Sequence, residues 1–135
     1  MNAVDTSVAV PAVAGWHESH ELCRRAAAGS WISSHVRIEA YSVLTRIPSP
    51  HRLAADTAAR VLVGFFRNER ILYPSADLMN EIVGICGAAG IAGGAIYDAF
   101  IASIALDHNV TLLTLDRRAI RTYELLGVDS ELLVT

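Results

Sequence analysis

The sequence has no lysine: all 11 basic residues are arginines. That absence removes whole chemistries. A Walker-type phosphate loop needs its lysine, and phosphoaspartate transfer on haloacid-dehalogenase-like or receiver-like folds normally sets a lysine beside the acids. Neither fits. Cysteine is almost as scarce. Cys23 and Cys86 are the only two; they lie far apart in helix-like segments and read as buried small hydrophobes rather than a disulfide or a metal pair. Aromatic residues make up 7% and do not interleave with the arginines, so there is no stacking signature of a nucleic-acid recognition module. No apolar run approaches the roughly 18 residues of a membrane span, and Asp5 interrupts the N-terminus before a signal-like core can form. The expectation is a cytoplasmic protein without membrane contact.

What is present is largely apolar. Hydrophobic residues are 53% and charged residues 19% of the 135, enough for one domain, residues 1–135, with a real core. No repeat, low-complexity tract or linker divides it. Short apolar runs at 2–4, 31–33, 71–73, 110–115 and 132–134 read as strands. Between them the sequence predicts helices from Thr6 to about Gly15, over 17–28, Ser34–Arg46, 52–67, from Ser75 to about Ala89, over 95–107 and over 118–126. The helix Ser34–Arg46 carries an apolar stripe at Val36, Ala40, Val43, Leu44 and Ile47, and Pro48 and Pro50 stop it. Strands alternating with helices imply βαβ units, hence an α/β fold with a mainly parallel sheet of about four or five strands flanked by helices.

Four acids stand out against this background. The run VTLLTLDRR, residues 110–118, ends a strand on a carboxylate, Asp116, with two arginines behind it, and Ala3-Val4-Asp5 ends another strand in the same way. Functional groups of an open parallel sheet gather outside the carboxyl ends of its strands, so Asp5 and Asp116 are expected at one edge. Asp98 shares a helical face with Ala95, Ile101, Ala102, Ala105 and Leu106, while Ser103 and Asp107 lie opposite; a carboxylate on a core-facing side is costly unless its charge is compensated. Glu39 flanks the apolar stripe of its own helix. Each acid also has a plainer reading. Asp5 and Asp116 precede helices and would serve as N-caps, and Glu39 would pair with Arg46 on the surface. Asp98 has no cationic partner on its face. Packed together, the four would repel and take up protons unless a cation held them ionised. An all-oxygen set without His or Cys suits Mg²⁺ or Mn²⁺, and the metal-cluster reading is preferred.

With these acids in place, VDTS at 4–7, the isolated Glu of SSHVRIEAYSVLTR at 33–46, GGAIYDAFIASIA at 93–105 and LLTLDRRA at 112–119 together resemble a PIN domain. More narrowly they resemble the VapC-type toxins of bacterial toxin–antitoxin pairs. The resemblance covers almost the whole chain, and the order and spacing of the acids are its specific part. It implies a PIN-like three-layer α/β/α sandwich. It also places the family's acidic cluster on Asp5, Glu39, Asp98 and Asp116, with Ser7 at the hydroxyl position of the first motif and Thr114 at the threonine before the last acid. Ala119-Ile120 occupies a region where many relatives have an aromatic, which reads as a packing variation.

The activity so implied is a metal-dependent endoribonuclease. One Mg²⁺, or two roughly 3.5–4 Å apart, would bridge the carboxylates and the scissile phosphate. Asp5 and Asp98 would be the central ligands, Glu39 and Asp116 would complete the site directly or through water, and Ser7 and Thr114 would hold ligands in place. A net charge of −3 argues against a general nucleic-acid binder, but neutralising four acids would turn −3 into +1. Arg117, Arg118 and Arg121 are then candidate contacts for flanking phosphates; otherwise they are a solvated face of the last helix.

Two motifs are set aside. His17-Glu18-Ser19-His20-Glu21 puts two histidines at i, i+3, which is not the HExxH spacing, and reads as a solvated helix face. GAAGIAGGA, residues 87–95, lacks the strand context and basic residue of a nucleotide loop and reads as a flexible joint before the Asp98 helix. The Ala-rich helices, with Phe65-Phe66 and the stretch from Leu78 to Ile85, carry more apolar surface than a small sheet needs. As in VapC-type proteins, it would form a homodimer and a groove for a VapB-like antitoxin helix. The competing function is a catalytically silent PIN-like module that binds RNA or protein. A metal-dependent phosphatase is disfavoured by the missing lysine.

Overall fold

The structure is a computed structural model and describes residues 1–134. Its elements follow the expected alternation: β1 (Asn2–Val4), α1 (Thr6–Val13), α2 (His20–Ala28), β2 (Trp31–Ser33), α3 (Ser34–Arg46), α4 (Ala55–Phe65), β3 (Ile71–Leu72), α5 (Ala76–Ala89), α6 (Ala95–Asp107), β4 (Thr111–Thr114), α7 (Arg117–Leu125) and β5 (Ser130–Leu132). The five strands form one parallel sheet in the order β3-β2-β1-β4-β5. From β1 the chain steps outward through β2 to β3, then crosses back to β4 and continues to β5. With right-handed crossovers, that reversal puts α1–α4 on one face and α5–α7 on the other. The packing agrees: α1 contacts α2, α3 and α4, whereas α6 contacts α5 and α7. The result is the three-layer α/β/α sandwich.

Reversal of the strand order creates a crevice between the carboxyl ends of β1 and β4, the place where open α/β sheets bind ligands. Its register is fixed by Val4 pairing with Leu113 and by the Asp5 amide donating to the Leu113 carbonyl at 3.1 Å. Strands buried on both faces read as unbroken apolar runs rather than alternating ones. Accordingly Val4, Ile32 and Leu112 are buried in the sheet, with Val8, Val36 and Leu44 packed from one layer and Ile104 and Tyr123 from the other. Ser33 caps α3 by accepting from the Val36 amide, and Ile47, held extended ahead of Pro48, ends it. Both cysteines are buried and free.

Several boundaries differ from the sequence reading. α2 starts at His20, not at 17, because His17 Nδ1 accepts the Ser19 amide at 3.0 Å and the segment before it is a turn. The two histidines therefore never share a helix. α4 is trimmed to Ala55–Phe65. β5 falls at Ser130–Leu132 rather than 132–134, since pairing with Leu112–Thr114, and not the apolar run, sets its register. α6 is not two-sided. Ser103, expected on the polar side, is buried and Leu106, expected on the core side, is exposed, because neighbours on several sides leave a helix of this apolar composition little free surface. The glycine-rich joint ends α5 with Gly90 at φ +73° and continues through Gly93 at φ +60°, backbone that side-chain-bearing residues rarely adopt. No helix among the described residues is long and apolar enough to cross a membrane.

Candidate active site

All four acids are carried to the crevice edge by elements that end or begin there. Asp5 follows β1 directly and Asp116 follows β4 after one residue. Glu39 lies on α3, which springs from the end of β2, and Asp98 lies in the first turn of α6. Asp5 is buried, Glu39 and Asp98 are half-buried, and Asp116 is exposed.

Asp5 stands at the N-cap position of α1 but its side chain does not cap. Instead Ser7 Oγ donates to Asp5 Oδ1 at 2.6 Å and Tyr123 OH donates to Asp5 Oδ2 at 2.7 Å. Helix α1 is received by the Asp5 backbone carbonyl, which accepts from Val8 and Ala9. Ser7 Oγ also accepts the Leu115 amide at 2.8 Å and lies 3.2 Å from Thr114 Oγ1, which accepts the Asp116 amide at 2.9 Å. This hydroxyl chain locks the ends of β1 and β4 to each other. Ser7 and Thr114 thus lie beside Asp5 and Asp116 at this edge.

The plainer reading holds for Asp116, whose Oδ1 caps α7 by accepting the Arg118 amide at 2.9 Å, while Oδ2 has no hydrogen-bond partner among the described residues. It does not hold for Glu39. Its partners are Thr6, whose hydroxyl donates to Oε1, and His35, whose Nε2 lies 3.6 Å from Oε2; Arg46 acts only at a distance. That 3.6 Å is longer than a hydrogen bond, and His35 Nε2 is buried with no hydrogen-bond partner. The ring is held by Tyr97, stacked at 5.8 Å, and by the edge of Phe100 at 5.3 Å.

Electrostatics tie the four together. Burial, and after it the charges of Asp116, Asp5 and Glu39, together push the Asp98 carboxyl up to about 6. Burial also raises Asp5 above the usual carboxylate range, against the hydroxyls of Ser7, Thr114 and Tyr123, which pull it down. The Tyr123 phenol is raised by burial and by Asp5, Asp98 and Asp116. Glu39 is held below its usual range by His35, with burial opposing and Thr6 assisting. An all-oxygen donor set that repels itself this strongly fits a hard divalent cation. Among the described residues no three such side chains already stand close enough to grip one ion. Ligation would therefore draw the carboxylates inward from the positions that Thr6, Tyr123 and the α7 cap now set.

Arg117, Arg118 and Arg121 are exposed on α7, beginning next to Asp116. Three site residues escaped the sequence reading: Thr6, His35 and Tyr123. Thr6 sits inside the quoted VDTS motif. His35 precedes Glu39 by one helical turn, and Tyr123 follows Asp116 by two, on the same side as the buried Ala119. Helical spacing from a known acid was the signal available for the last two.

The description PIN domain matches residues 3–125 of this chain. Ribonuclease VapC40 of Mycobacterium tuberculosis is similar at 39% identity over 133 residues, covering 98% of each chain. Ribonuclease VapC27 of the same organism is 39% identical over 133 residues, covering 93% of this chain and 92% of that one. A chain from a structure of FitAB bound to an IR36 DNA fragment superposes with a TM-score of 0.69, covering 97% of this chain and 94% of that chain at 16% identity. This last likeness is one of fold.

Proposed function

Since the chain belongs to the PIN-domain family, in its VapC-type branch, we propose that it is a divalent-metal-dependent endoribonuclease and the toxin of a VapBC-type pair. One observation carries the mechanism: Asp98 is half-buried and feels Asp116, Asp5 and Glu39 at once, and burial together with those charges raises its carboxyl to about 6. Asp5 and Asp98 are the central ligands, and Glu39 and the free oxygen of Asp116 complete the set. When bound, Mg²⁺ or Mn²⁺ supplies Lewis acidity at the scissile phosphate and a water made acidic enough to attack it. Ser7 and Tyr123 hold Asp5 in one orientation, Thr6 holds Glu39, and Thr114 fixes the backbone from which Asp116 projects. Arg117, Arg118 and Arg121 extend the site with cations for the phosphates on either side. A cytoplasmic setting goes with an RNA substrate.

A VapB-like antitoxin and a second copy of the chain are the proposed partners. Within the stretches first singled out, Phe66, Leu78 and Ile82 are buried, whereas Val63, Met79 and Val83 are exposed. Ile38 is exposed as well, and with Val63 it lines a groove of about 220 Å³ between α3 and α4.

Incubating labelled RNA with Mg²⁺ or Mn²⁺ and either wild type or Asp98→Asn tests the reading. Loss of a direct ligand lowers cleavage by about a hundredfold or more. Equal cleavage by both proteins removes the mechanism. RNA that is bound but never cut leaves the silent binding module.

A further inference from the structure

A cavity of about 550 Å³ opens beside the acids on the α1 side. Thr6 and Ser7 form its inner wall, the same residues whose hydroxyls hold Glu39 and Asp5. Leu115, next to Asp116, joins Val10, Pro11 and Val43 in an apolar lining. The α1–α2 connection supplies the polar side through His17, Glu18 and Ser19. No arginine lines it, and its one carboxylate, Glu18, repels phosphate. The apolar lining and the volume suit a nucleobase, which a single-stranded RNA can splay out of its stack.

We propose that this cavity takes a guanine from the nucleotide next to the scissile phosphate, with Glu18 reading its Watson–Crick edge. The proposal rests on the ribonuclease reading. The polar groups around the cavity are matched to that base. Glu18 accepts and cannot donate when ionised. Pro11 has no N–H for the Ser7 carbonyl four residues earlier in α1, so the helix bond that would occupy this second acceptor is missing. His17 Nδ1 already accepts the Ser19 amide, so the neutral ring carries its proton on Nε2 and offers a donor. Guanine presents two adjacent donors, N1–H and the 2-amino group, that a single carboxylate accepts together, beside acceptors at O6 and N7 for the imidazole N–H. Adenine lacks the paired donors, and uracil has only one.

The test has two arms. Amide NMR of the metal-free protein is followed while guanosine or inosine, which lacks the 2-amino group, is added. Guanosine is expected to shift residues 6–7 and 17–19 and to bind about tenfold more tightly than inosine, since one charge-assisted hydrogen bond is lost. In Glu18→Gln, an exposed substitution that keeps the fold, the two nucleosides bind within about twofold. Equal binding to wild type, or a preference unchanged in Glu18→Gln, overturns the proposal. In the second arm, oligoribonucleotides differing by one guanine-to-inosine change are incubated with wild type and Mg²⁺. Cleavage that ignores the change overturns the base site alone, and cutting of neither oligomer overturns the ribonuclease reading and with it the base site's role in cleavage, while the NMR arm still decides whether guanine binds.

Discussion

Replacing Tyr123 by Phe isolates one interaction at the heart of the site. The phenol is fully buried and donates 2.7 Å to Asp5 Oδ2, and Asp5 itself is only 3% exposed. Phenylalanine keeps the ring and its packing, so the change removes one hydrogen bond to a buried carboxyl. Such a bond contributes about 1.5–3 kcal/mol when the acceptor is ionised and about 0.5–1.5 when it is neutral. Burial raises the Asp5 pKa, so in the metal-free protein the folded chain keeps its Asp5 proton to higher pH than the unfolded chain does. The sign follows. The Asp5 contribution to stability is lost as pH rises from the ordinary value of 3.8 through the higher folded one, and deleting a donor that stabilises the anion widens that loss. The Tyr123→Phe deficit should therefore be larger at pH 8 than at pH 5. At about 3 °C per kcal/mol for a chain of this size, the melting temperature should fall by roughly 4–9 °C at pH 8 and by less at pH 5. Thermal unfolding followed by circular dichroism at the two pH values, without divalent metal, reads both numbers. A shift below about 1 °C at pH 8, or a larger one at pH 5, would refute the coupling.

Three further outcomes are expected. Because the Asp98 carboxyl titrates near 6 in the metal-free protein, protons compete with metal below that value; calorimetric Mn²⁺ affinity should drop by about tenfold per pH unit below pH 6 and level off above pH 7. Thr6→Val removes the donor to Glu39 at nearly constant shape, so Mn²⁺ affinity should fall about 10–100-fold while the melting temperature moves little. Gly90→Ala places a side chain at φ +73° and should cost about 1–2 kcal/mol, seen as a lower urea midpoint with an unchanged slope.

Much of this was legible because the informative residues are local signals. Acids at the ends of apolar runs marked β1 and β4, and parallel topology alone brings Asp5 and Asp116 to one edge. Ser75 and the prolines after α3 fixed helix limits by chemistry that needs no tertiary context. Long-range competition hid the rest. A backbone amide captured by His17 delays α2, which no periodicity reveals. Ser103 and Leu106 exchange their expected environments because α6 is enclosed by its neighbours, so the helical face of one sequence stretch does not decide what is buried. Tyr123 was missed because its significance lies in a contact 118 positions away. Glu18 is solvated as expected, but nothing local shows that it lies on a turn lining a cavity rather than on a helix.

The most direct measurement is a crystal structure of the protein soaked with Mn²⁺, with the ion located by its anomalous scattering. The account requires a peak at the β1–β4 crevice within about 2.0–2.3 Å of carboxylate oxygens of both Asp5 and Asp98. A Mn²⁺ ion bound elsewhere, in a protein that still cuts RNA, would contradict it.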